Sequence, residues 1–400
     1  MSGSLQVVIL FDHLGPYHRA RLAAAGREMD VTAVEIASES ATYAWDEVAD
    51  APNFRRITLF SSEDSTSVPV GKKEDTIHDT LDRVEPEVVA IPGWSYPRAL
   101  AALRWCMHTC TPAVVMSEST AHDFKRTWWK ERLKQRIVGH FGAGLVGGTR
   151  HRAYLQELGL SAERLFLGYD AVGNEHFSSG ADEVREAEAT ERRRRSLPTD
   201  YFLGVCRFVP KKNIPRLIDA FGEYRNRASG DMWDLVLLGD GPERVSVEEA
   251  IARAGLEDAV HLPGFKQYDE LPAYYGLAGA FVHASTREQW GLVVNEAMAS
   301  GLPVLVSDRC GCAPDLVEEG RNGYIFDPYD PSTLADRMYE MAHGAEDRAA
   351  MAAASQEIIA QWGPERFAQG LRRAVEVAIE AGPPSSSLVD RLLMKALMYR

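Results

Sequence analysis

Short apolar, β-rich runs alternate with helical stretches along the first half of the chain. The runs are LQVVILF (5–11), VTAVEIA (31–37), VVAIPG (88–93), AVVMSE (113–118) and GAGLVGG (142–148). Helical spacing fills most of the gaps, as in PYHRARLAAAGRE from Pro16. The second half repeats the pattern with YFLGVCRF (201–208), WDLVLLGDG (233–241), AVHLPGF (259–265), GAFVHAS (279–285) and PVLVSD (303–308). Strands that alternate with helices predict parallel sheets covered by helices. The fold class expected is therefore α/β, with two doubly wound parallel-sheet domains.

A segment with a different character separates the halves. SSGADEVREAEATERRRRSLPTD (178–200) carries an acidic block, four consecutive arginines and then Pro198. It reads as a solvated linker or helix face, which sets the expected domains at 1–177 and 201–365, with 366–400 as a C-terminal helical segment. A length of 400 residues fits two domains better than one core. With 45% apolar and 26% charged residues the chain is a globular protein. Its net charge of −14 argues against a broad nucleic-acid surface. No apolar run reaches the roughly 18 residues a membrane span needs, and the start has no signal-peptide pattern. Five scattered cysteines form neither a disulfide framework nor a zinc site. A cytosolic location is expected.

Two doubly wound domains place ligands beyond the carboxyl ends of their strands. The first strand is followed by FDHLGPYHRA, without the G-x-G-x-x-G of dinucleotide enzymes. The chemistry concentrates instead in EQWGLVVNEAMASGLPVLVSD, where Glu288 and Glu296 stand eight positions apart around Gly291. Glu288 falls in the loop after a strand and Glu296 inside the following helix. A carboxylate among Val, Ala and Met needs a partner, and a ribose diol can supply two hydroxyl protons to one. Gly291 permits close backbone approach, and free N–H groups at the helix start favour a phosphate. Arg207 directly follows a strand and Lys212 lies five residues on. Together they could neutralise a diphosphate. Taken singly, each feature is also ordinary: a helix-flanking glutamate, a salt bridge, two surface cations.

CRFVPKKN, LVLLGDGPE, PGFKQYDELPAYYGLA, HASTREQWGLVVNEAMASGLPVLVSD and EEGRNGYIFDP follow one another over residues 201–330. In that order they resemble the donor-binding domain of the retaining glycosyltransferases of family 4, which have the GT-B fold, two Rossmann-like domains facing a central cleft. The resemblance implies a nucleotide-sugar donor, UDP-linked by preference, and transfer to a hydroxyl with retention. It assigns Arg207 and Lys212 to the diphosphate, Glu296 to the ribose and Glu288 to the sugar hydroxyls. Backbone at Gly291, Leu292 and Val293 would meet the phosphates, and Phe265, Lys266 and Gln267 would frame the base. It further implies that 366–400 crosses back to the first domain. No D-x-D motif is present, so neither a metal nor another cofactor is expected.

The first domain departs from the family pattern. Its first loop offers Gly15 followed by Pro16 where relatives commonly have two glycines near the donor phosphate. His13, Tyr17 and His18 are acceptor-side candidates, each equally able to be a satisfied surface residue. Relatives often place a histidine after the fourth strand; here Glu118 stands there, with His122 four residues later. Glu118 is favoured for the reacting sugar. The stretch 122–136 carries six Lys or Arg against two acids, with Trp128 and Trp129 adjacent. It is either a solvated helix or a rest for an anionic membrane carrying a lipid-linked acceptor. A soluble small-molecule or polysaccharide acceptor stays open, as do two other readings, a glycogen-synthase-like polymerase and a silent nucleotide-sugar-binding scaffold.

Overall fold

The computed structural model describes residues 4–38, 52–61, 68–227, 232–384 and 387–399. The chain divides into two compact units, one of Met1–Ala171 with Gly363–Arg400 and one of Val172–Trp362.

In unit 1, β1 (Gln6–Phe11), α1 (Pro16–Ala25), β2 (Asp30–Ala37), β3 (Arg55–Phe60), α2 (Val70–Val84), β4 (Val88–Pro92), α3 (Pro97–Thr109), β5 (Ala113–Ser117), α4 (Trp128–Val138), β6 (Ala143–Val146), α5 (Thr149–Glu157) and β7 (Leu165–Leu167) follow in order. The strands form one parallel sheet in the order β3-β2-β1-β4-β5-β6-β7. Strand β1 lies inside this sheet, with β2 on one side, where Val7 is opposite Val31, and β4 on the other, where Val7 is opposite Val88. Alternate residues feed two cores. Val8, Leu10, Val89, Ile91 and Val115 pack toward α2 and α3; Val7, Ile9, Val88, Ala90 and Val114 pack toward α1 on the other face. Both faces are covered, as a parallel sheet requires.

Unit 2 contains α6 (Asn174–Glu186), α7 (Glu188–Arg195), β8 (Tyr201–Val205), α8 (Ile214–Arg227), β9 (Asp234–Leu238), α9 (Arg244–Ala254), β10 (Val260–Gly264), α10 (Leu271–Gly276), β11 (Ala280–His283), α11 (Leu292–Ala299), β12 (Val304–Ser307), α12 (Ala313–Leu316), β13 (Gly323–Phe326), α13 (Pro331–His343) and α14 (Ala345–Ile359). Its sheet is also parallel, in the order β10-β9-β8-β11-β12-β13. The chain then supplies α15 (Pro364–Ala381) and α16 (Leu388–Met398) to unit 1. Phe367, Leu371, Ala374, Val375 and Ala378 of α15 complete the core beside α1.

Residues 178–200, expected as a linker, are instead helical through Arg195 and built into unit 2. The charges concealed a packing role. Phe177 and Ala181 are fully buried. The Arg185 guanidinium donates to the carbonyls of Gly276 (3.0 Å) and Ser300 (2.5 Å), and Arg192 donates to those of Leu277 (2.9 Å) and Pro198 (2.7 Å). Three of these carbonyls lie at the ends of α10 and α11, where unpaired C=O groups and the helix dipole favour a cation.

The order of strands reverses between β1 and β4 in unit 1 and between β8 and β11 in unit 2. At such switch points the flanking loops diverge and leave a crevice at the carboxyl edge. Each carries an ion pair, Arg98 with Asp12 in unit 1 and Lys212 with Glu288 in unit 2.

Candidate functional site

The loop after β8 is set by its own backbone. Cys206 donates its N–H to Leu238, and Phe208 to Asp240, on the neighbouring strand's loop. Gly239 there has φ +126°, and a Cβ on it would lie 1.9 Å from the Cys206 carbonyl, so only glycine fits. A short 3-10 turn, Pro210–Lys212, precedes α8, so Lys212 closes this turn rather than opening the helix. Asn213 has φ 60°. Its amide donates to the carbonyls of Ala284 (3.1 Å) and Pro328 (2.9 Å), fixing the turn against the loops after β11 and β13.

That anchoring presents Lys212 to Glu288. The two side chains are 13% and 12% exposed and form an ion pair. Glu288 also contacts His283 Nε2 at 3.2 Å, accepts from Ser285 Oγ at 3.3 Å and lies 3.9 Å from Lys211 Nζ. Burial alone would raise its carboxyl; the Lys212 charge, then the His283 hydrogen bond and Lys211, outweigh burial and hold it well below the usual carboxylate range. Burial works likewise against the Lys212 ammonium, and the Glu288 charge keeps it above its ordinary value. His283 is pushed below its ordinary value by burial, with Glu288 opposing. Arg207 is exposed and makes no ion pair among the described residues.

Gly291 caps α11 with φ +106° and no side-chain hydrogen bond to the first turn. Glu296 is 0% exposed, one turn in. The Tyr275 hydroxyl donates to its carboxylate at 2.7 Å and, longer, to the Val293 carbonyl at 3.5 Å. Trp290 Nε1 donates to Asn295 Oδ1 at 2.9 Å, locking the loop that carries Gly291. Phe265 is 40% exposed after β10; Lys266 lies 5.6 Å over the Tyr274 ring, and the Gln267 N–H donates to Glu270 at 2.9 Å.

Arg207, Lys212, Glu288, Gly291 and Phe265–Gln267 thus all stand on loops after strands of the unit 2 sheet, at its carboxyl edge, with Leu292, Val293 and Glu296 in the helix that starts there. The arrangement offers cations and unpaired helix N–H groups to a polyanion and buried carboxylates to hydroxyls. Tyr275, His283 and Ser285 join it without having been legible beforehand. No group of three His, Cys, Asp or Glu side chains suited to a metal occurs among the described residues.

In unit 1 the first-loop candidates separate by role. The Gly15 N–H donates to His18 Nδ1 at 3.0 Å, so His18 caps α1 and keeps its hydrogen on Nε2. Burial, then Arg21 and His13, holds it well below the usual imidazole range. His13 is half-buried and lowered by burial; Tyr17 is half-buried, and His122 is exposed. Glu118 is half-buried just after β5, and Asp170, fully buried after β7, is raised well above the usual carboxyl range by burial and then by the Glu118 charge. No helix among the described residues is long and apolar enough to cross a membrane.

Residues 187–358 match the family described as glycosyl transferases group 1. The chain is 30% identical over 194 residues to an alpha-D-kanosaminyltransferase of Streptomyces kanamyceticus, covering 48% of this chain and 49% of that protein. It is 28% identical over 311 residues to a D-inositol 3-phosphate glycosyltransferase of Corynebacterium jeikeium, covering 72% and 70%. The chain thus spans about half the length of the first of these relatives. HepE from Anabaena, solved with UDP-glucose, superposes with a TM-score of 0.66 at 19% identity over 94% of this chain and 98% of that one. The fold is GT-B, two Rossmann-like α/β domains.

Proposed function

We propose that this chain, whose second unit carries the group 1 glycosyl transferase match, is a retaining glycosyltransferase of the family 4 type that takes a sugar from a nucleotide-diphosphate donor. The observation that carries the reading is the Lys212–Glu288 pair at the unit 2 switch point, beside a helix start with no side-chain cap and a fully buried Glu296. A diphosphate draws on Lys212 and Arg207 and on the N–H groups of Leu292 and Val293. Glu296 accepts from the ribose diol, Glu288 from hydroxyls of the sugar, and Phe265–Gln267 frames the base. UDP is the favoured nucleotide, in keeping with the UDP-glucose that HepE binds.

In the transfer step, charge grows on the departing phosphate, and Arg207 and Lys212 stabilise it without requiring a metal. The bond from the anomeric carbon to the diphosphate breaks, the acceptor oxygen bonds to that carbon on the same face, and the departing phosphate takes the acceptor's hydroxyl proton. Glu118 is assigned to the reacting sugar, Gly15 to the donor phosphate, and His13, Tyr17, His18 and His122 to the acceptor. The acceptor is lipid-linked and reached at the cytoplasmic face of an anionic membrane through residues 122–136, where Phe124 and Trp128 are 73% and 80% exposed.

Thermal unfolding with UDP, GDP, ADP and TDP tests the donor site, on wild type and Glu296→Gln. A nucleotide at a hundred times its dissociation constant stabilises by about 2.7 kcal/mol, several degrees in the midpoint. One nucleotide shifting wild type, with the shift reduced in the variant, is the expected result. No shift with any of them or with their glucose conjugates overturns the nucleotide-sugar reading, and a shift without any donor turnover leaves a silent binding scaffold as the better account.

A further inference from the structure

β11 reads AFVH and is wholly buried, its last residue His283 being 3% exposed. A strand covered on both faces ordinarily carries apolar side chains, so a histidine there needs partners. The Phe281 ring stacks on it, 6.2 Å between centroids and 13° between planes. Its Nε2 lies 3.2 Å from Glu288 Oε2 and 3.1 Å from Ser285 Oγ, and Ser285 is itself fully buried. A carboxylate oxygen only accepts, so Nε2 carries the hydrogen of this ring. Burial lowers the imidazole below its ordinary value, against the pull of Glu288, and keeps it neutral. The Ser285 hydroxyl therefore faces a donor at Nε2, and its own hydrogen goes to Glu288 Oε2 at 3.3 Å.

The two oxygens of Glu288 are thus unlike. Oε2 meets the Lys212 ammonium, His283 Nε2 and Ser285 Oγ. A carboxylate oxygen has roughly two lone pairs, so these donors leave it no room for another. Oε1 accepts no hydrogen bond among the described residues, and Lys211 Nζ at 3.9 Å stands outside hydrogen-bond range. The Glu288 backbone is held as well: its N–H donates to the Arg309 carbonyl at 3.4 Å, and its carbonyl accepts from the Gly311 N–H at 3.0 Å. Only rotation of the side chain is left, and the donors on Oε2 fix that. The stem passes the start of α11, where a Cβ on Gly291 would lie 3.4 Å from Glu288 Cγ. The carboxylate therefore stands beside the helix N–H groups assigned to the diphosphate, next to which a donor carries its sugar.

We propose that His283 is a positioning residue for the donor sugar: with Lys212 and Ser285 it engages Glu288 Oε2 and turns Oε1 to the sugar, so that one oxygen, not both, receives the hydroxyls. It touches no reacting atom. The inference rests on the glycosyltransferase reading above, through the role given to Glu288.

The test compares wild type, His283→Leu, His283→Gln and Ser285→Ala. Nucleotide release from UDP-, GDP-, ADP- and TDP-glucose gives kcat/KM. Titration calorimetry gives the dissociation constant of the free nucleoside diphosphate whose conjugate is turned over. A glutamine amide reaches the position of Nε2 and donates; leucine fills space and donates nothing. His283→Leu should lose about tenfold or more in kcat/KM and Ser285→Ala about threefold, and His283→Gln should recover most of the first loss. The free nucleotide has no sugar to meet Oε1, so its dissociation constant should stay within about twofold in every variant. A loss of nucleotide affinity in step with kcat/KM overturns the inference, because His283 then supports the site as a whole. So does a His283→Leu enzyme with wild-type kcat/KM, or a His283→Gln enzyme no better than His283→Leu. Where His283→Leu is too unstable to assay, wild-type kcat/KM in Ser285→Ala overturns it. A wild type that binds a nucleotide yet releases none from the four conjugates overturns the transferase reading instead, and the role of Glu288 falls with it.

Discussion

The Lys212 ammonium and the Glu288 carboxylate meet across the switch point of the unit 2 sheet, one from the loop after β8 and the other from the loop after β11. The pair is nearly buried, so each charge depends on the other. Lys212→Met leaves Glu288 with His283, Ser285 and the more distant Lys211. The expected loss is up to about 3 kcal/mol in urea unfolding, the low end for breaking a buried pair. The same variant should lower kcat by roughly a hundredfold, because the leaving phosphate loses a cation. Unchanged stability would show that the pair is not formed in solution.

The pair also fixes a pH window. The folded Glu288 carboxyl is held below its unfolded value. Its contribution is present above the unfolded pKa of about 4.3 and is lost as pH falls from there through the folded one. Midpoints measured between pH 2.5 and 5 should fall more steeply in wild type than in Lys212→Met, where Glu288 titrates nearer its ordinary value. Parallel curves would count against the pair as the source of the acid sensitivity.

Tyr275 connects α10 to the buried Glu296 by a 2.7 Å hydrogen bond. Tyr275→Phe keeps the ring in place and removes one donor to a carboxylate. The cost should be about 1–3 kcal/mol in stability. A carboxylate freer to rotate should bind the ribose less well, weakening UDP by about tenfold while kcat at saturation changes little. Titration calorimetry with UDP reads the first effect; an unaltered dissociation constant would remove Glu296 from the ribose.

The sequence made the repeated βα units legible because most strands are apolar runs bounded by turn residues. Three strands escaped. β3 opens with Arg55 and Arg56 and is only partly buried. β7 has three residues, and β13, GYIF, has four of which only Gly323 and Phe326 are buried, unlike the wholly buried four-residue β6, β11 and β12. Glu288, Gly291 and Glu296 were legible because their chemistry lies within one continuous stretch. Tyr275 and His283 were not. Each acquires its role from a residue that packing brings to it, Tyr275 from Glu296 and His283 from Glu288. Arg192 of α7 shows the reverse, one of a charge run whose local pattern suggested solvent, yet its guanidinium donates to the Leu277 carbonyl at the end of α10.

Gly291 has φ +106°, where a side chain is strained. A Cβ there would meet Glu288 Cγ at 3.4 Å and Cys312 Sγ at 3.6 Å, ordinary contacts. Gly291→Ala should therefore act through the backbone, costing about 1–3 kcal/mol. If the loop relieves strain by rotating, the N–H groups of Leu292 and Val293 turn with it, and UDP affinity falls beyond what stability explains. A variant that loses stability yet binds UDP normally would place the phosphates elsewhere.

Phe124, Trp128 and Trp129 are 73%, 80% and 44% exposed on one short stretch of unit 1. Of the cations among them, Arg126, Lys134 and Arg136 are already paired with Glu131, Glu157 and Asp390. Lys125, Lys130 and Arg132 are exposed and make no ion pair among the described residues. Three such cations near an anionic bilayer contribute about 1 kcal/mol each, and aromatic rings at the interface add to that. Binding to phosphatidylglycerol vesicles should exceed binding to phosphatidylcholine and weaken as salt rises. Trp128→Ala with Trp129→Ala should reduce it about tenfold without shifting the thermal midpoint, because exposed rings contribute little to the core. Equal affinity for both lipids, or indifference to the tryptophans, would return this segment to the status of a solvated helix and favour a soluble acceptor.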